Sequence, residues 1–347
     1  MKSNASDLMD RAHPGRYSQR MVPPPKPGAP SARFPKKASG KPSASKQVAR
    51  AKAPHASRTR VVRQRLPSTA VMGPDRTAAK SSTTFPSQPP PTPLAIAHRG
   101  ASSEAPENTL AAFSRALGQG AAGCELDLRP LADGTIAICH DRDLCRFGSA
   151  RTPLSTLRRA DLATRDVGSW FSPEFAQEQV PTLDQLFAGP GKTGLWLLEL
   201  KAATGAHGTA LNRTLCRGLA AVLAREHKRD PTIWDRCYAL CFAPSLLAQM
   251  AKLAPRLRLV RNTVKPPRNP ARWLEQQPWL HAVDCDLRTL TPDFVAACRA
   301  CGLKIFTYTC NDEKTYRKAR ALGLDGILSD RPAWLVKRLA AEKMPEK

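Results

Sequence analysis

From Leu94 onward, short apolar runs alternate with amphipathic stretches, and this alternation restricts the possible folds more than any other feature of the chain. Candidate strands are 94–98, 124–128, 136–139, 195–200, 238–242, 257–260, 281–285, 304–309 and 326–328, with helices predicted over 108–117, 182–187, 210–227, 245–253, 292–301 and 313–322. Strands alternating with helices call for a parallel α/β architecture, because a parallel crossover needs about a dozen residues or more and a helix fills it. The expected fold is an irregular TIM-type (β/α)8 barrel. The candidate strands number nine, one more than a regular barrel holds, so one is expected at the periphery. The runs 124–128 and 136–139 mark the place, since the short Leu-Ala-Asp-Gly turn between them permits only an antiparallel hairpin. A turn centred near Asp133-Gly134 sets Asp127 roughly opposite His140.

The barrel is expected to occupy residues 94–347. Residues 1–93 hold 18 of the 54 Lys/Arg, 3 of the 29 Asp/Glu and 16 of the 32 prolines, with few large apolar residues. Such a segment cannot bury a core and is expected to form a disordered, basic, Pro-rich tail. Most of the net charge of +25 belongs to it. A tail of this kind makes weak contact with polyanions or an anionic membrane through counterion release, without a specific nucleic-acid site. No apolar run approaches the roughly 18–20 residues that span a bilayer, and the N-terminus lacks the apolar core of a secretory signal, so the expected location is cytoplasmic. The cysteines sit mainly in apolar runs, where a free thiol packs as a small hydrophobe. Cys298-Arg-Ala-Cys301 has redox or zinc spacing but stands alone in a helical stretch.

Polar groups recur where the apolar runs end: His98-Arg99-Gly100, Glu125-Leu126-Asp127, His140-Asp141 and Glu199-Leu200-Lys201. The C-terminal ends of barrel strands are where active sites form. Glu125 and Asp127, two apart on a strand, project from one face, and Glu199 adds a third carboxylate. Three carboxylates without a His or Cys ligand set suit a hard cation, Mg²⁺ or Ca²⁺. A cation, the Arg99 guanidinium and the Lys201 ammonium together describe a site for a phosphate ester. An unperturbed imidazole has its pKa near neutrality, so His98 and His140 are candidates to divide the roles of acid and base.

At these residues the chain resembles the glycerophosphodiester phosphodiesterase family, of the PLC-like phosphodiesterase TIM-barrel superfamily. The resemblance rests on 97–100 (Ala-His-Arg-Gly), 106–113 (Pro-Glu-Asn-Thr-Leu-Ala-Ala-Phe), 125–128 (Glu-Leu-Asp-Leu), Asp133-Gly134 and 140–144 (His-Asp-Arg-Asp-Leu). It continues in 180–183 (Val-Pro-Thr-Leu), 198–201 (Leu-Glu-Leu-Lys) and 323–332 (Gly-Leu-Asp-Gly-Ile-Leu-Ser-Asp-Arg-Pro). It implies metal-dependent hydrolysis of a glycerophosphodiester to an alcohol and sn-glycerol 3-phosphate, with attack by the substrate's own glycerol hydroxyl as one route. By the same resemblance Glu125, Asp127 and Glu199 are metal ligands, His98 and His140 the acid/base pair, and Arg99 and Lys201 phosphate contacts. Glu107 lies at the edge of the site, where it would orient Arg99 or a metal-bound water.

Two segments depart from the family pattern. Tyr308-Thr309-Cys310-Asn311 stands where Trp-Thr-Val-Asn is usual, which keeps an aromatic substrate wall at Tyr308, and Cys-Arg-Phe-Gly follows Leu144 in place of an Arg-Thr-Thr type. Both bear on the alcohol part of the substrate. Two other readings stay open: a lysophospholipase D-type activity on acylated substrates, using an apolar groove near Trp170, Phe171 and Phe175, or a non-catalytic protein whose basic tail binds polyanions.

Overall fold

A computed structural model describes residues 92–149 and 151–342. The tail expected over the first 93 residues thus lies, apart from Thr92 and Pro93, outside the described residues.

The strands among the described residues are β1 (Leu94–His98), β2 (Gly123–Pro130), β3 (Ile136–Ile138), β4 (Leu195–Leu200), β5 (Cys237–Cys241), β6 (Arg258–Thr263), β7 (Ala282–Asp286), β8 (Lys304–Tyr308) and β9 (Gly326–Ser329). Eight of them pair in parallel in the order β1-β9-β8-β7-β6-β5-β4-β2, and a β1–β2 pairing closes the barrel. The ninth, β3, pairs antiparallel with β2 outside the ring. The peripheral strand is therefore the one in the hairpin, as the short connection required.

Each strand's period of two divides its side chains between two cores. Cys124, Leu126 and Leu128 face outward with Trp196 and Leu198 into the layer under the helices, where Phe113 of helix Leu110–Gly118 meets Trp196 edge-on at 5.6 Å. Ile96, Leu197, Leu240, Val260, Ala282, Phe306 and Leu328 fill the barrel interior. Each Leu, Ile, Val or Phe fully withdrawn from water contributes roughly 1.5–3 kcal/mol, which makes this inner plug a firm floor. Glu125 and Asp127, alternating with the outward set on β2, necessarily point into the barrel.

The hairpin register differs by one residue from the sequence expectation. Leu128 pairs with Ile138, and the Cys139 N–H donates to the Asp127 carbonyl at 2.8 Å, so Cys139 rather than His140 stands opposite Asp127. The cause is a turn of three residues rather than two: Leu131 bonds to Thr135, and Gly134 takes the left-handed conformation at φ +82°. His140 follows the end of β3 and is free of the strand's alternation.

Candidate active site

The turn after β1 sets the first two functional groups. Arg99 and Gly100 both have positive φ, at 57° and 84°. A Cβ on Gly100 would lie 2.7 Å from that of Ala112, so only glycine lets this turn press against the following helix. The Arg99 N–H donates to the Glu125 carbonyl at 3.0 Å, which fixes the turn over β2. Its guanidinium reaches Asp127 (Nε to Oδ2, 3.2 Å) and Glu107 (Nη1 to Oε1, 3.1 Å).

Glu125, Asp127 and Glu199 are all buried, and ligand oxygens from the three lie within 4.8 Å of one another. Lys201 joins them, its Nζ 2.9 Å from Asp127 Oδ1 and 2.8 Å from Glu199 Oε1. Burial, together with the charges of Asp127 and Glu199, holds the Glu125 carboxyl well above the usual carboxylate range. Burial acts the same way on Asp127, but Lys201 and Arg99 outweigh it and hold that carboxyl well below its ordinary value. Burial opposes the Lys201 charge, yet Asp127 and Glu199 raise its ammonium to about 12. Glu125 Oε1 has no hydrogen-bond partner among the described residues. Three buried carboxylates with an unused oxygen are costly for stability alone and match the donor set of a hard divalent cation, which these residues can hold.

Each histidine is backed by a carboxylate. His98 Nδ1 is 2.7 Å from Asp330 Oδ1, and His140 Nδ1 is 2.9 Å from Asp141 Oδ1. Asp330 is itself held by Asn311 (Nδ2 to Oδ2, 2.6 Å) and Ser102 (Oγ to Oδ1, 3.2 Å). Burial would raise the Asp330 carboxyl, but the hydrogen bond and charge of His98 keep it below the ordinary range. Burial, and then the charges of Arg99 and Lys201, push the His140 imidazole down to about 4. With Nδ1 engaged on both rings, Nε2 is the atom each offers to the cleft.

His98, Arg99, Glu125, His140, Glu199, Lys201 and Tyr308 all line one cleft. Asp127 and Glu107 stand directly behind it through Arg99, so every residue expected from the sequence converges there. The Tyr308 ring forms part of the wall, and its hydroxyl donates to the Thr263 carbonyl at 3.1 Å. Sequence reasoning assigned no role to several neighbours. Arg146 ties Glu107 (2.7 Å) to Asp141 (2.6 Å). Its guanidinium lies 4.3 Å from the Phe147 ring centroid and 5.5 Å from that of Trp170. Asn262 and Asp284 line the cleft on β6 and β7, and Phe242 lines its rim. Asp330 directly follows β9 as Arg99 follows β1, so the strand-end rule that found the others could have found it too.

Comparison with known proteins agrees with this geometry. Residues 98–334 match the family described as "Glycerophosphoryl diester phosphodiesterase family". The chain is 30% identical over 255 residues to the glycerophosphodiester phosphodiesterase of Caldanaerobacter subterraneus, covering 70% of this chain and 96% of that protein. An Oleispira antarctica phosphodiesterase, solved in complex with the product sn-glycerol-3-phosphate, superimposes with a TM-score of 0.64 at 26% identity over 72% of this chain and 97% of that one. A glycerophosphodiester phosphodiesterase from Agrobacterium tumefaciens gives 0.56 at 26% identity over 71% and 99%. With barrel, cleft and a matched region extending from His98 into the last helix all in agreement, the chain belongs to the glycerophosphoryl diester phosphodiesterase family of enzymes.

Proposed function

We propose that this cleft carries out metal-dependent hydrolysis of a glycerophosphodiester to an alcohol and sn-glycerol 3-phosphate. The observation that carries the reading is the meeting on one cleft of two carboxylate-backed histidines, two buried carboxylates (Glu125 and Glu199) and two partly buried cations, with a third buried carboxylate, Asp127, ion-paired to both cations directly behind it. In this reading Arg99 and Lys201 pair with the non-bridging oxygens of the phosphate. Glu125, Asp127 and Glu199 hold the cation, Mg²⁺ or Ca²⁺, which when bound supplies Lewis-acid stabilisation of charge on those oxygens.

His98 and His140 move protons at Nε2. One accepts the proton of the attacking glycerol hydroxyl while the other donates to the leaving alkoxide, and with the roles reversed the pair activates the water that opens the resulting cyclic phosphate to glycerol 3-phosphate. Asp330 and Asp141 hold the tautomer that leaves Nε2 available and stabilise the imidazolium that forms. Glu107 sets the Arg99 guanidinium, and the Tyr308 ring walls the substrate.

Catalysis is assigned to residues 94–347, and a chain lacking the first 93 is expected to keep its kcat/KM. An acylated substrate needs an apolar groove leading from the cleft. Phe175 is buried against Ala105 and Ala112 and Phe171 packs on it, so of the three aromatics that groove would need, only Trp170 is substantially exposed. This favours a small, deacylated substrate.

The test is glycerol 3-phosphate release from glycerophosphocholine by the purified chain with Mg²⁺, Ca²⁺ or EDTA, alongside His98→Ala and Glu125→Ala. Metal-dependent release lost in both variants is expected. Release that persists in EDTA, or in either variant, would sink the mechanism.

A further inference from the structure

Asn262 and Asp284 are register partners on β6 and β7, each 2% exposed. In the closed ring β7 stands four strands from β2 in either direction, so Asp284 faces Glu125 and Asp127 across the barrel, while Asn262 on β6 stands two strands from the Glu199 strand, β4. Both line the cleft, and Oδ1 of each has no hydrogen-bond partner among the described residues. The arginines nearest in the chain are committed elsewhere: Arg288 to Asp286, and Arg261 to the Cys241 and Asn262 carbonyls.

Burying an amide and a carboxyl without partners costs stability, and the fold does not require it. Two residues earlier on the same strands and the same inward face stand Val260 and Ala282, ordinary members of the apolar plug. The polar pair is therefore laid on an apolar floor, beside the rings of Tyr308 and Phe242 and the Leu328 side chain.

We propose that Asn262 and Asp284 form a hydroxyl-binding floor that takes the vicinal diol at the glycerol end of the substrate. The inference rests on the glycerophosphodiester reading above. A diol offers two donors and several lone pairs. One carboxyl has two oxygens to receive them, and the amide adds donors and an acceptor beside it. The apolar neighbours suit the carbon chain between the hydroxyls. The depth of the pair suits the small, invariant end of the substrate, whereas the variable alcohol needs the open side of the cleft. A site built on such groups discriminates strongly, because a ligand lacking the hydroxyls leaves them unpaired.

The test separates binding from turnover. Affinities for glycerol 3-phosphate and for methyl phosphate, which shares the phosphate and lacks the diol, are measured by calorimetry on the whole chain in Ca²⁺. The proteins are the wild type, Asp284→Leu, Asn262→Leu and the near-isosteric Asp284→Asn. The leucine variants are expected to lose about 10- to 100-fold in affinity for glycerol 3-phosphate and to keep that for methyl phosphate. Their melting temperature is expected to be unchanged or higher, which a merely structural pair would not give. Equal weakening of both ligands, or of neither, overturns the proposal. So does a loss seen only in turnover of glycerophosphoglycerol relative to glycerophosphoethanolamine, which would put the pair at the alcohol end. A wild type that prefers glycerol 3-phosphate through these residues yet hydrolyses nothing supports the subsite while sinking the reaction; a wild type that releases product while its variants keep the preference does the reverse.

Discussion

Asn108 and Asp127 are joined by two hydrogen bonds: Asn108 Nδ2 donates to Asp127 Oδ2 at 2.7 Å, and the Asp127 N–H donates to Asn108 Oδ1 at 3.2 Å. Asn108 is buried, with φ at 61°, a conformation that asparagine tolerates better than most residues. It leaves the capping of the next helix to Thr109, whose hydroxyl receives the Ala112 N–H at 3.2 Å. Its side chain instead orients a carboxylate of the proposed metal site. Such outer partners typically account for 10- to 100-fold in metal affinity. Asn108→Ala is therefore expected to weaken metal affinity, read from the metal concentration dependence of the melting temperature, by about 10- to 100-fold and to destabilise the fold by about 1–3 kcal/mol. An unchanged metal titration would show that Arg99 and Lys201 alone hold Asp127 in place.

The same logic applies to the histidine at the end of β1. Asp330 fixes His98 Nδ1 at 2.7 Å and is itself clamped by Asn311, whose Oδ1 also receives the Asp330 N–H at 2.9 Å. Asp330→Asn keeps this frame but removes the charge that stabilises a protonated His98. The expected result is a kcat lower by about 10²-fold or more with little change in KM. A change confined to KM would assign Asp330 to substrate binding instead.

These two residues also show where the sequence was readable and where it was not. The barrel was legible because strand-length apolar runs and helical periods repeat, and the carboxylates and histidines were legible because they cluster at strand ends. Asp330 obeyed that rule and was passed over, since its partner His98 lies 232 residues away and nothing local announces the pairing. Asn108 falls at the start of the helix predicted over 108–117, a place where asparagine usually serves the helix itself, so its reach to Asp127 has no local sign. Asp284 lies within a buried strand, where the alternation Asp284-Cys285-Asp286 marks a polar inner face, but only closure of the ring shows that it looks across at Glu125. The hairpin register depended on whether the turn held two residues or three, which an Ala-Asp-Gly sequence does not decide.

The acidic cluster sets function against stability. Without a cation, Glu125 is buried between Asp127 and Glu199, and its carboxyl is pushed up by burial first and by these two charges next. Glu125→Gln removes that repulsion at nearly constant volume. In EDTA at neutral pH the variant is expected to melt at a higher temperature than the wild type. Added Mg²⁺ or Ca²⁺ should raise the wild-type melting point by mass action and leave the variant's unmoved. A variant less stable than the metal-free wild type would mean that Glu125 serves the fold through its contact with the Arg99 backbone (3.2 Å) rather than a cation.

His140 supplies a pH dependence whose sign follows from its surroundings. Burial, then Arg99 and Lys201, bring its pKa down to about 4 from an ordinary 6.5. Between those values the unfolded chain binds a proton that the folded chain refuses. The neutral ring's contribution is thus fully present above pH 6.5 and is lost as the pH falls toward 4, by up to about 3 kcal/mol for the metal-free protein. Glu125, with its raised carboxyl, works in the opposite direction, so the two must be separated by difference. Urea denaturation of the wild type and of His140→Asn across this range, both in EDTA, provides that difference. The wild type should lose stability toward pH 4 more steeply than the variant, and a proton NMR titration should place the His140 midpoint near 4. Parallel stability curves, or a His140 midpoint near 6.5, would mean that burial and the charges of Arg99 and Lys201 do not hold the ring's pKa down.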